Sequence, residues 1–147
     1  MARASWVEYF TQMSQLVATR STCPRRNVGA VLVRNHRVIA SGYNGAPGGQ
    51  PHCTEVGCVI ENDHCVRTIH AELNALLQCA RYGIATQDVD LFCTDMPCRH
   101  CARAVVQAGI RRIYYLRPYQ SPETWELMAA TGVQLIRVEA PDADFLS

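Results

Sequence analysis

The chain has 147 residues, 48% of them hydrophobic and 18% charged, which suits one folded domain with a buried core and excludes a disordered chain. A formal net charge of +1 lacks the basic excess of a binder of long nucleic acid, although a small anion needs only about two or three arginines. No apolar run approaches the ~20 residues that span a bilayer, so no membrane association is expected.

The opening residues MARASWVEYF hold neither a signal-peptide core nor a small-residue cleavage site, which predicts a cytoplasmic protein. Thiols stay reduced there, so the eight cysteines point to metal or catalysis before disulfides. Every basic side chain other than histidine is arginine, a planar fork suited to phosphate.

Ser5-Trp6-Val7-Glu8 is a capping box, followed by a helical pattern to about Arg20. Residues 28–33 and 38–40 are β-branched and apolar, and Asn35-His36 between them marks a hairpin turn. Residues 42–68 are rich in Gly, Pro, Asn and Cys and read as loop. A helix over Ala71–Cys79 stops at Gly83, and residues 89–93 form a short strand. A second helix spans 98–108 and stops at Gly109, and a strand follows at 113–116. Ser121 caps the last helix, with Pro122 in its first position and Gly132 at its end, and residues 133–138 form the final strand.

A hairpin followed by β–α–β–α–β predicts an α/β domain over 1–147, a three-layer α/β/α sandwich around a mixed five-stranded sheet. Its last strands should run parallel through right-handed crossovers. Ligand sites in such sheets lie at the carboxyl ends of strands, where helices begin.

Two short motifs fall at such helix starts: His70-Ala71-Glu72, and Pro97-Cys98-Arg99-His100-Cys101. Cys98 and Cys101 are spaced to share a helix face, and the positive end of a helix favours thiolates. His70 with these two thiolates makes a neutral three-ligand set for Zn²⁺ and leaves a fourth position for water, as in catalytic zinc sites. Such a metal lowers the pKa of its water to about 7. Glu72, two residues past His70, is placed to shuttle protons. Either motif alone is weak; jointly spaced at helix starts after strands, they are specific.

H-x-E with P-C-x-x-C is the signature of zinc nucleobase deaminases. The chain resembles the cytidine and deoxycytidylate deaminase superfamily over almost its whole length. The resemblance rests on "VGAVLV", "GYNGAPGG", "HAELNALLQCARYG", "DMPCRHCARAVVQAGI" and the closing helix and strand. "GYNGAP" followed by "HC" points to its deoxycytidylate (dCMP) deaminases. That resemblance implies a cytidine deaminase-like fold and hydrolysis of dCMP to dUMP and ammonia. It also implies activation by dCTP, inhibition by dTTP, Mg²⁺ accompanying a triphosphate effector, and a homo-oligomer, favoured as a hexamer. It carries a nucleotide contact to Asn44, and a share in substrate or effector binding to Gly42, Tyr43 and Gly45. Arg81 matches a position near subunit contacts.

The residues themselves leave alternatives beside these assignments. Asn44 offers a donor and an acceptor to a sugar hydroxyl, yet the same residues make an ordinary turn. Arg25 and Arg26 can meet a phosphate or form a solvated pair.

Some dCMP deaminases carry a second, structural zinc. Cys23 and Cys53 match its first two ligand positions, and Cys58 and Cys65 complete it on ligand type, with His64 or His52 able to replace one of them. A Cys₄ set is closed, as structural zinc requires, and would clip a long loop that has little core. Cys79 and Cys93 fall on apolar faces and read as core. His36 reads as a turn residue, and His100 as exposed or adjacent to the site.

Other readings remain. Another zinc deaminase, acting on a different cytosine nucleotide, a nucleoside or tRNA adenosine, would share both motifs. A zinc-stabilised binding module would have no use for Glu72.

Overall fold

The computed structural model describes residues 2–139. Helix α1 (Trp6–Ala18) begins at the expected capping box: the Ser5 hydroxyl accepts from Glu8 N–H, and the Glu8 carboxylate accepts from Ser5 N–H. Strands β1 (Gly29–Arg34) and β2 (Arg37–Tyr43) form the hairpin. Asn35 and His36 turn it with φ of 50° and 59°, as a two-residue hairpin loop with matching twist requires.

The segment read as loop holds three short elements: α2 (Cys53–Val56), β3 (Ile60–Glu61) and β4 (His64–Cys65), the last two an antiparallel pair. Then come α3 (Ala71–Tyr82), β5 (Asp90–Asp95), α4 (Arg99–Gln107), β6 (Arg112–Arg117), α5 (Pro122–Thr131) and β7 (Gln134–Arg137). Helices α3 and α5 end on Gly83 and Gly132 in the left-handed region, as the sequence predicted.

The sheet order is β2-β1-β5-β6-β7. β1 is antiparallel to β2 and β5, while β5, β6 and β7 run parallel, so the sheet is mixed and five-stranded as expected. Alternation along the central strands divides the core. Val31, Val33 and Phe92 pack against Phe10 on the α1 face. Ala30, Leu32, Leu91 and Cys93 pack with Ala71 and Ala75 of α3 and with Ala102 and Val105 of α4 on the other face.

β5 extends past the expected apolar residues to include Thr94 and Asp95, which are buried. Both have partners: Thr94 Oγ1 accepts from Gly29 N–H at 3.1 Å, and Asp95 pairs with arginines. Because β1 opposes β5, the start of β1, the ends of β2 and β5, and the first residues of α3 and α4 all meet at one end of the sheet. Among the described residues, no helix is long and apolar enough to cross a membrane.

Candidate active site

His70 and Cys98 are the N-caps of α3 and α4, so the expected start of the second helix moves one residue on. Neither side chain caps its helix, which leaves both free to turn toward each other. His70 Nδ1 lies 3.6 Å from Cys98 Sγ and 3.3 Å from Cys101 Sγ. Tetrahedral zinc with ordinary ligand bonds sets such N···S separations near about 3.5 Å, so this donor set fits zinc. Cys101 donates to Cys98, which holds the Cys98 thiol down at about 3 and pushes Cys101 up. As ligands both would be thiolates, and binding would release the shared proton.

The Glu72 carboxyl is buried beside this set and reaches the same cavity. Burial raises its pKa above the ordinary carboxylate range, opposed by the Cys93 thiol, which donates to Oε1 at 3.0 Å. A buried carboxyl next to such a donor set is suited to accepting and returning a proton, and Glu72 lies outside the His70–Cys98–Cys101 group. His100 is exposed, and Cys79 is buried in the core.

Cys23, Cys53, Cys58 and Cys65 also converge, with all four Sγ atoms within 4.8 Å of one another. Cys23 lies 3.7 Å from Cys58, and Cys53 lies 3.5 Å from Cys65. Four thiolates around zinc sit about 3.8 Å apart, so this set also fits. Burial opposes ionisation of Cys65, but N–H donors of Arg67 and Val59 hold it down at about 6. Cys53 is pushed up to about 12, chiefly by burial. His64 does not join the four; its Nε2 lies 3.4 Å from the Tyr119 hydroxyl. His52 stays outside as well, with Nδ1 buried and unpartnered.

The GYNG residues mostly build the scaffold around His70. A Cβ on Gly42 would meet Ala71 O at 2.4 Å, so glycine there lets α3 pack on β2. Tyr43 O accepts from Asn74 Nδ2 at 2.8 Å, and Gly45 exchanges both main-chain bonds with Ile69, the residue before His70. Asn44 accepts from Val28 N–H at 2.9 Å through Oδ1 and donates to Arg26 O at 2.6 Å through Nδ2. Of these four residues, Asn44 alone lines the cavity.

That cavity has a volume of about 330 Å³. Glu72, His70, Cys98, Arg25, Arg26, Asp95 and Tyr119 are among the residues that line it. Asp95 is buried and takes two arginines: Arg26 Nε at 2.9 Å and Arg117 Nε at 2.5 Å. The Arg26 guanidinium also lies over the Tyr119 ring, 5.7 Å from its centroid. Asp95, Arg117 and Tyr119 were not singled out by sequence, and Cys93 was read only as core. A carboxylate following "FCT" or a tyrosine in a loop after a strand carries no pattern until the sheet gathers them. Arg81 is exposed on α3 and lies over Tyr82, away from this cavity.

Residues 4–117 match the family described as the cytidine and deoxycytidylate deaminase zinc-binding region. The chain belongs to the cytidine and deoxycytidylate deaminase family. As a member it is a hydrolytic deaminase. It is 47% identical over 140 residues to ComE operon protein 2 of Bacillus subtilis, a match covering 95% of this chain and 74% of that one. It is 41% identical over 150 residues to the deoxycytidylate deaminase of Schizosaccharomyces pombe, covering 95% of this chain and 46% of the relative. Measured against that yeast protein, the chain therefore spans about half the length. The crystal structure of dCMP deaminase from the cyanophage S-TIM5 in complex with dCMP and dUMP superposes with a TM-score of 0.82 at 29% identity, over 94% of this chain and all of the other. The cytidine deaminase-like fold expected from the sequence is thus the fold observed.

Proposed function

We propose that this deaminase converts dCMP and water to dUMP and ammonia. The observation that carries the reading is the buried Glu72 carboxyl beside the His70–Cys98–Cys101 set, in one cavity with Arg26. His70, Cys98 and Cys101 would hold a catalytic zinc; Cys23, Cys53, Cys58 and Cys65 would hold a structural one. Bound zinc supplies Lewis acidity and a nucleophile available near neutral pH.

The chain's own groups do the rest. Glu72 takes the proton of the attacking water on its carboxylate and passes it to the ring nitrogen beside the attacked carbon. It then carries the second proton to the departing amine, so that water ends as the uracil carbonyl and ammonia leaves. Burial of Glu72 keeps bulk water from competing for these protons. Arg26 would meet the phosphate, a role supported by its half-exposed position at the cavity, held by Asp95 and Tyr119. Asn44 orders the wall on which the sugar would lie. The kinship with dCMP deaminases supports monophosphate over other phosphorylation states, activation by dCTP with Mg²⁺, inhibition by dTTP, and a homo-oligomer, a hexamer above other sizes.

The test follows loss of cytosine absorbance on dCMP, deoxycytidine and dCTP as substrates. The dCMP reaction is then repeated with dCTP or dTTP added. Turnover confined to dCMP is expected; turnover of deoxycytidine at an equal kcat/KM would overturn the role given to the phosphate.

A further inference from the structure

We propose that Cys93 is a positioning residue for Glu72: its thiol engages one carboxylate oxygen and so turns the other toward the reacting atoms. This rests on the deaminase reading of the cavity and adds to it a residue that its apolar strand face alone assigns to the core.

A carboxylate buried to this degree needs donors. The second buried carboxylate at this end of the sheet, Asp95, has two arginines. Among the described residues, no arginine pairs with Glu72. Its own amide N–H and the Cys93 thiol donate to it, the thiol to Oε1 at 3.0 Å. Burial and the neighbouring Glu72 charge push the Cys93 pKa well above the ordinary thiol value, so that thiol keeps its proton.

Position matters as much as the proton. Cys93 sits in the central strand, paired with Ala30 on one side and Tyr115 on the other, and is 2% exposed. Its Cβ therefore cannot move without the sheet, and close burial restricts the rotamers open to its thiol. Glu72 stands on the first turn of α3, where its side chain has several rotamers open to it; a fixed donor at 3.0 Å from Oε1 selects one. A thiol is a weak donor, but to a buried carboxylate its bond is charge-assisted. A proton shuttle must reach the water, the ring nitrogen and the amine in turn. An arm fixed at one oxygen and free at the other suits that sequence of contacts.

The test compares Cys93→Val, which fills the space without a donor, Cys93→Ala, which empties it, and Cys93→Ser, which restores a donor on the same carbon. Each zinc-loaded variant is assayed on dCMP with kcat and KM separated, and zinc per chain is measured alongside. Cys93→Val should lose about tenfold in kcat with KM and zinc content unchanged, since a misplaced general acid–base group forfeits part of its usual factor. Cys93→Ser should stay within about threefold of wild type, because it keeps the donor. If Cys93→Val fails to fold, Cys93→Ala carries the same expectation. Wild-type kcat in the donorless variants, or equal loss in Cys93→Ser and Cys93→Val, would overturn the proposal. A wild-type protein inactive on dCMP refutes the substrate reading instead, and the same variants are then compared on whichever of deoxycytidine and dCTP it deaminates.

Discussion

Replacing Cys53 by Ser tests whether the four-cysteine set is a metal clip. The substitution removes one of four sulfurs that lie within 4.8 Å of one another, and it does so on α2, remote from the His70 set in sequence and not part of it. The clip closes two stretches of chain, the 12-residue separation from Cys53 to Cys65 and the 35-residue separation from Cys23 to Cys58. Loop closure costs scale as (3/2)RT ln n, which gives about 2 kcal/mol for the first and about 3 kcal/mol for the second. Losing the Cys53 ligand should free at least the shorter loop. For a chain of this size, 2–3 kcal/mol corresponds to a fall in Tm of roughly 5–10 °C. Metal analysis should show the loss of about one zinc per chain, while kcat per molecule retaining the other zinc stays close to wild type. Full zinc content with an unchanged Tm would refute the assignment. Loss of all activity with zinc retained would show instead that Cys53 belongs to the chemistry.

Two further outcomes follow from the cavity wall. Arg26→Ala should raise KM for dCMP at least about tenfold and leave kcat/KM for deoxycytidine nearly unchanged, since a charge-assisted phosphate contact contributes about 1.5–3 kcal/mol; equal effects on both substrates would remove Arg26 from the phosphate. Asn44→Ala should lower stability by about 1–3 kcal/mol in denaturant unfolding, because it leaves Val28 N–H and Arg26 O without their buried partner. A variant as stable as wild type but weak in nucleotide binding would return Asn44 to a purely ligand-binding role.

Much of this was legible in sequence because it is local. The Ser5–Glu8 box, the Asn35-His36 turn and the Ser121-Pro122 start each specify backbone geometry within a few residues. The metal motifs were legible for a related reason: His70-Ala71-Glu72 and Cys98 to Cys101 fix ligand spacing at helix starts, and the fold has only to bring two starts together. The cysteines of the loop could be assigned by type, but their convergence, with His52 and His64 outside it, is not legible in sequence, because residues 42–68 have no periodicity to orient side chains. The small elements α2, β3 and β4 escaped for the same reason; four residues or fewer make no pattern. Thr94 and Asp95 look like the end of a strand because they are polar, yet the ladder continues since Gly29 and two arginines satisfy them. Cys93 reads as core by alternation and is core, but its neighbour across the layer is a carboxylate, which no spacing along the chain announces. The GYNG residues resemble a known motif, but their partners Ile69, Asn74 and Val28 emerge only once the strands and α3 are packed together.

The most direct test of the central claim is turnover of dCMP by Glu72→Gln beside wild type, both with measured zinc content. Gln keeps the size of the side chain and its ability to hydrogen-bond but cannot carry the proton. The account predicts full zinc loading and a loss of kcat of at least about 10²–10⁴-fold. A zinc-loaded Glu72→Gln variant that deaminates dCMP at near the wild-type rate would contradict it.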